Sequence, residues 1–137
     1  MEQRADEVAW LLELAVNSGA GDTVRAVMED MVASTTAEPG ALSYAWFRSD
    51  DGRVVAISER YTDSAAVVTH LTTFGEKFSQ RFLAAMTPTR MTVFGAPSEE
   101  AQQALSALNP TYLAYIGGFT ARSVIDGTPA QGLATGF

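Results

Sequence analysis

The chain has a single histidine, His70, within the stretch SERYTDSAAVVTHLTTFGEKF that runs from residue 58 to residue 78. A neutral imidazole titrates close to neutrality, so it can take a proton from a phenol or an activated C–H bond. Glu59, upstream in the same stretch, could fix the tautomer of that imidazole or raise its basicity. It could equally pair with Arg60, Arg53 or a basic group of another subunit. Tyr44, Trp46 and Phe74 are flat apolar side chains suited to walling an aromatic ligand, and Tyr61, on the Glu59 side of its strand, offers a hydroxyl. Each of these aromatics also suits core or subunit packing. His70 itself could be a half-exposed residue bonded to water or backbone.

Other chemistries have less support. The sequence contains no cysteine, which removes disulfides, zinc–thiolate sites and thiol catalysis, and agrees with a reducing, cytoplasmic setting. One histidine without clustered Asp or Glu at ligand spacing predicts no metal site. Ser and Thr are plentiful, but no G-x-S-x-G motif accompanies them, so a hydrolase triad is not expected. Gly117-Gly118 does not open a long helix after a strand, as a phosphate cradle would. The net charge of −7 repels nucleic-acid backbones, and no Lys/Arg cluster offsets it. MEQRADEV is not basic, Glu13 interrupts the apolar run after it, and no run reaches the ~18 residues of a membrane span. Neither a leader nor membrane insertion is expected.

The elements that must position these residues follow from spacing. Residues 1–7 read as a flexible N-terminus, 8–121 as one domain, and 122–137 as a tail rich in Gly, Ala and Thr that has no clear period. VAWLLELAV (8–16) reads as a strand. Asp22 then caps a helix whose stripe is Val24, Val27, Met28, Met31 and Val32, stopped by Pro39-Gly40. ALSYAWFR (41–48) and RVVAISERY (53–61) flank Ser49-Asp50-Asp51-Gly52, which is hairpin chemistry. Thr62 or Asp63 caps one long helix over about 64–86, with Val67, Leu71, Phe74, Phe78, Phe82 and Ala85 inward. His70 falls roughly 75° from the centre of that stripe, on its shoulder with Lys77 and Arg81. Thr87-Pro88 ends the helix, TRMTVFG (89–95) is a strand, and Ser98 with Glu99 and Glu100 opens a short helix. YLAYIGGF (112–119) is the last strand. The order β-α-β-β-α-β predicts an α+β, ferredoxin-like antiparallel sheet with its helices on one face.

Helices on one face should leave the other face polar. Here Leu42, Tyr44 and Trp46 alternate with Ala45 and Phe47, and Trp10, Leu12, Leu14 and Val16 alternate with Leu11 and Ala15. Two apolar faces require a second cover. The sheet of another subunit fits better than a tail of small residues, so a homodimer through the sheet faces is expected.

Over roughly residues 8–121 the chain resembles the antibiotic biosynthesis monooxygenase superfamily, the quinol monooxygenase-like dimeric α/β-barrel proteins. The resemblance rests on the strand–helix order, on Glu59-Arg60-Tyr61-Thr62-Asp63-Ser64 leading into Ala65–Leu83, on His70-Leu71, and on Gly95-Ala96-Pro97-Ser98. It implies a pocket between sheet and helices, and oxidation of phenolic or quinol-like polycyclic substrates by O2 with no cofactor. On that implication His70 and Glu59 would be catalytic, and Tyr44, Trp46, Tyr61 and Phe74 would bind substrate. Members similar in fold also include isomerases and proteins without known reaction. A cyclase or isomerase of polyketide-like substrates, or a non-catalytic ligand-binding or regulatory dimer, therefore stands beside the oxygenase reading.

Overall fold

The structure is a computed structural model that describes residues 6–120. The rest of the expected N-terminal segment, residues 1–5, and the expected tail lie outside the described residues. Strand β1 (Val8–Val16) leads into helix α1 (Gly21–Thr36), then β2 (Ala41–Arg48), β3 (Val54–Tyr61), α2 (Ser64–Lys77), α3 (Ser79–Ala85), β4 (Met86–Gly95), α4 (Glu99–Leu105), a 3-10 turn (Ser106–Leu108) and β5 (Thr111–Leu113). The sheet order is β2-β3-β1-β4-β5, and every pairing is antiparallel except β4 with β5. The fold is thus ferredoxin-like α+β, with a mixed sheet in place of the antiparallel one expected.

Local chemistry sets the boundaries. At the β2–β3 hairpin the Asp51 carboxylate accepts hydrogen bonds from the Ser49 hydroxyl and the Arg53 N–H, and Gly52 supplies φ +75°. Asp63 caps α2 by accepting from the Ala66 N–H, and Ser98 caps α4 by accepting from the Ala101 N–H. Asp22 is not the cap of α1. It lies in the first turn, where its charge meets the helix dipole, and Ala20 is the cap residue.

Two expectations about the middle of the chain change. The long helix is two helices, broken at Phe78, whose backbone (φ −126°, ψ −22°) leaves the helical region. The second helix ends at Ala85, and β4 begins at Met86, so Pro88 lies inside a strand. It is tolerated because the β1–β4 register shifts between Glu13 and Leu14, beside Pro88, and because β5 covers only Thr92–Phe94. The last strand stops at Leu113, well short of Phe119.

The core lies between one sheet face and the helices. Val8, Trp10, Leu12 and Leu14 of β1, Val55, Ile57 and Tyr61 of β3, and Met91 and Val93 of β4 meet Val27, Met31, Val67, Phe82 and Leu105. On the outer face Ala9, Leu11, Ala15, Ala45 and Ala56 are only partly buried, and Phe47, Val54, Phe94 and Leu113 are exposed. Apolar side chains dominate this face, as the alternation predicts, with Glu13, Ser58 and Arg60 set among them. Leu42 is displaced from the alternation by a register shift between Ala41 and Ser43, and is exposed. Among the described residues no helix is long and apolar enough to cross a membrane.

Candidate active site

Strand register gathers the chemistry. Glu59 on β3 is opposite Trp10 of β1 on one side and Tyr44 of β2 on the other. Because side chains alternate along a strand, Glu59 and Tyr61 project to the same face, the one that the helices cover. The Tyr61 hydroxyl donates to Glu59 Oε1 at 2.6 Å, and the Trp10 indole adds a further hydrogen bond to the same carboxyl. From α2, His70 brings Nε2 to 3.3 Å from Glu59 Oε1. Its Nδ1 lies 3.1 and 3.2 Å from the two carboxylate oxygens of Glu38, in the loop between α1 and β2. Three rings surround the imidazole, Tyr61 at 5.0 Å, Tyr44 at 5.7 Å and Trp10 at 6.3 Å between centroids.

His70 is therefore deeper than its helical angle suggests, at 5% exposure. The reason is the break at Phe78. The stripe was centred over one long helix, whereas α2 ends at Lys77 and buries Val67 and His70 on its own axis. Phe82 belongs to α3, which turns separately. Glu59 is also buried, and its neighbours are Tyr61, Trp10 and His70 rather than an arginine. Arg60, on the other face, pairs with Glu7 at 3.0 Å. Arg81 pairs with Asp30 at 2.9 Å and lies over the Phe78 ring.

Burial dominates the electrostatics. Desolvation pushes Glu59 up from 4.5 to about 7, despite the hydrogen bonds from Tyr61 and Trp10 that favour its anion. Desolvation pushes His70 down from 6.5 to about 4, so the imidazole is neutral at pH 7. Tyr61 and Tyr44 are driven above the ordinary phenol range by burial and by the Glu59 charge, and both remain O–H groups. Glu38 is raised by partial burial. Near neutrality Glu59 is thus about half protonated, while the neutral His70 imidazole beside it is free to accept a proton.

The pair opens on a cavity of about 690 Å³ between sheet and helices. Trp10, Leu12, Ile57 and Glu59 form its floor. His70, Leu71 and Phe74 of α2, Phe82 of α3, and Ala104 and Leu108 from the α4 region form its roof. The size and mostly apolar wall suit a small organic molecule. Phe74 meets Phe82 edge to face at 5.0 Å and lines this space. Tyr44, Tyr61 and Trp46 do not line it. They stand behind the wall, Tyr44 and Tyr61 against His70 and Trp46 against Phe82 at 6.1 Å. The Tyr44 hydroxyl and the Trp46 indole N–H are buried near one another, with Thr35 also beside the hydroxyl.

Sequence spacing pointed to Glu59 and His70 but missed Glu38 and Trp10. Glu38 precedes Pro39-Gly40 and reads as any polar loop residue. Trp10 had a usable signal, since it shares the inward parity of β1 with Leu12 and Leu14. The three groups Glu38, His70 and Glu59 do not form a metal cage: the two carboxyls sit on opposite nitrogens of one ring. Among the described residues no cluster of His, Cys, Asp or Glu is arranged to hold an ion.

Fold and site define a ferredoxin-like domain with a carboxyl group and an imidazole buried against a largely apolar cavity. The chain belongs to the antibiotic biosynthesis monooxygenase family, whose sequence model matches residues 8–87. That match stops within β4, so the α4 segment that completes the cavity roof lies beyond it. Among solved structures the chain is similar to MupZ from Pseudomonas fluorescens, at 20% identity and TM-score 0.76, with 88% of this chain and 94% of that chain covered. It is also similar to SnoaB, a cofactor-independent oxygenase from Streptomyces nogalater, at 23% identity and TM-score 0.59, covering 69% of this chain and 96% of that one. At these identities the likeness is one of fold. No curated protein matches the chain significantly.

Proposed function

We propose that this protein is a cofactor-independent monooxygenase that oxidises a flat phenolic or quinol-like substrate with O2, using Glu59 and His70 as its acid–base pair. One observation carries the reading: Glu59 and His70, both buried, open together on a largely apolar cavity of about 690 Å³. Family membership and the fold shared with SnoaB, itself a cofactor-independent oxygenase, support it.

In this reading the substrate lies between the Trp10 floor and the Phe74–Phe82 roof, and the pair takes its phenolic proton. The resulting anion is electron-rich enough to react with O2 dissolved in the apolar space. The ring carbon that is CH2 in the keto tautomer of that phenol becomes C=O, keeping one oxygen atom. The second oxygen leaves as water with both hydrogens of that carbon, so the substrate supplies all four electrons that O2 accepts. The chain contributes proton transfer, a dry cavity and orientation. Oxygen uptake with a panel of hydroquinones and polycyclic phenols tests this. Uptake by the native protein, lost in a His70→Ala variant that still folds cooperatively, supports it. No uptake with any member of the panel counts against it.

A cyclase or isomerase of polyketide-like substrates is the second reading. The protonated fraction of Glu59 beside a neutral imidazole favours it, because moving a hydrogen without oxidation needs an acid and a base in one cavity. Product masses separate the two: a gain of oxygen marks the first, an isomer or dehydrated ring the second. Protein that binds such compounds and converts none would be a non-catalytic member.

The assembly proposed is a homodimer through the outer sheet face. Phe47, Val54, Phe94 and Leu113 are exposed there beside Leu11 and the small side chains of the central strands. Burying such a face would give an interface near the roughly 1,600 Å² of stable pairs. Light scattering at micromolar concentration should return twice the chain mass.

A further inference from the structure

Glu38 is not on the cavity wall, yet it holds the far side of the base. It lines a separate surface hollow of about 380 Å³, together with Pro39, Gly40, Asp63 and Thr69. His70 and Glu59 line the inner cavity. The imidazole therefore faces the inner cavity with a carboxyl group on each side of it, and Glu38 stands between it and the hollow.

The loop is shaped to place Glu38 there. The Glu38 N–H donates to the Thr35 carbonyl at 3.0 Å, and the Glu38 carbonyl accepts from the Ala41 N–H at 3.1 Å. The Gly40 carbonyl accepts from the Thr62 N–H at 2.9 Å. A side chain at Gly40 would collide with Ala66 and crowd the Thr62 hydroxyl, so glycine lets the loop press against the first turn of α2. The Glu38 side chain is only 12% exposed, and its carboxyl pKa is raised by that burial. A rotamer pointing to water would avoid this cost, and contact with His70 is what the buried one gains.

A neutral imidazole has one N–H to share between two carboxyl groups. Glu38 presents both oxygens to Nδ1 at 3.1 and 3.2 Å, whereas Glu59 meets Nε2 at 3.3 Å through an oxygen that already accepts from Tyr61. Glu59, the more deeply buried, also keeps a proton more readily. The ionisable groups facing the ring are Glu38 from the loop, Glu59 and Tyr61 from β3, and Tyr44 from β2.

We propose that Glu38 is the positioning residue of this base. It holds His70 as the Nδ1–H tautomer, which leaves Nε2 as the basic atom at the cavity, and it is the group through which His70 exchanges protons with the outer solvent. The inference rests on the acid–base reading of the cavity. A proton taken at Nε2 makes an imidazolium. The Nδ1 proton of that imidazolium can pass to the Glu38 carboxylate, and from there to water in the hollow, while substrate fills the cavity. When a proton returns to Nδ1 by the reverse path, Nε2 gives its own to the oxygen that leaves as water, and the starting tautomer is restored.

The tautomer is read in the ligand-free protein by NMR with ¹⁵N-labelled histidine at pH 7. Native protein should show a protonated Nδ1 and a bare Nε2. In Glu38→Ala the proton should move to Nε2, toward Glu59. In Glu38→Gln the amide can accept the hydrogen bond but not the proton, so Nδ1–H exchange with water should slow by about tenfold or more, a loss comparable to removing other orienting partners of histidine. With a turned-over substrate, Glu38→Gln should also move the acid limb of the kcat/KM profile to lower pH. Removing a negative charge beside an imidazole lowers its pKa, whereas structural damage alone would reduce activity without moving the limb. A native protein protonated at Nε2 overturns the proposal, as does Glu38→Gln with unchanged exchange and an unmoved limb. Full activity in His70→Ala would instead remove the acid–base reading, and the NMR comparison would still decide the role of Glu38.

Discussion

Glu59→Gln should make this protein more stable as pH rises relative to the native chain, and less active. The native carboxyl is raised from 4.5 to about 7 by burial, so the folded state holds its proton more tightly than the unfolded chain. A group shifted this way costs stability as pH rises from the unfolded pKa to the folded one, and the full cost is present above the folded value. Each pKa unit is 1.36 kcal/mol, so the cost is about 3 kcal/mol at pH 8 and under about 1 kcal/mol at pH 5. Glutamine keeps an oxygen to accept from the Tyr61 hydroxyl and from the Trp10 indole, and it carries no charge to desolvate. Any packing change on substitution is independent of pH and cancels between the two conditions. The His70 linkage runs the other way, because its folded pKa of about 4 removes stability as pH falls below 6.5, but it is common to both proteins. Urea unfolding of both proteins at pH 5 and pH 8 measures the difference, provided the m-values agree. The variant should gain roughly 2–3 kcal/mol on the native protein between the two pH values. A stability difference that is the same at both would mean that Glu59 carries no burial cost, and the assignment of its raised pKa would fall.

Phe82→Ala, at a core position with 2% exposure, should cost about 3–5 kcal/mol, while His70→Ala should stay within about 0.5–3 kcal/mol; equal losses in thermal melts would make the histidine a packing residue. Phe47→Asp places a charge on the outer sheet face, and light scattering should then report half the mass of the proposed dimer; an unchanged dimer mass would move the interface elsewhere. Oxygen uptake, once found, should survive EDTA; loss on chelation with recovery on adding a metal would contradict the proposed chemistry.

The sequence by itself determined the order of elements up to β4 apart from the break in the long helix, the hairpin at Asp51-Gly52, a cap at Thr62 or Asp63 and another at Ser98, and the apolar character of both sheet faces. These follow from local chemistry: turn residues, capping oxygens and the alternation of side chains along a strand. It also singled out Glu59 and His70, since a lone histidine and a carboxylate near a strand end are visible as residue types, while the face that Glu59 takes was set by strand register. Only the tertiary structure decided how deep they lie. The helix break at Phe78 changed the axis on which His70 sits, and a backbone excursion of one residue leaves no trace in hydrophobic period. The start of β4 at Met86 depended on Pro88 finding a stretch of strand that β5 leaves unpaired, which is a fact of pairing. Glu38 joined the site because the close approach at Gly40 folds a loop against α2. A hydrogen bond spanning 32 residues has no sequence signature, because its two ends are fixed by different elements and meet only when those elements pack.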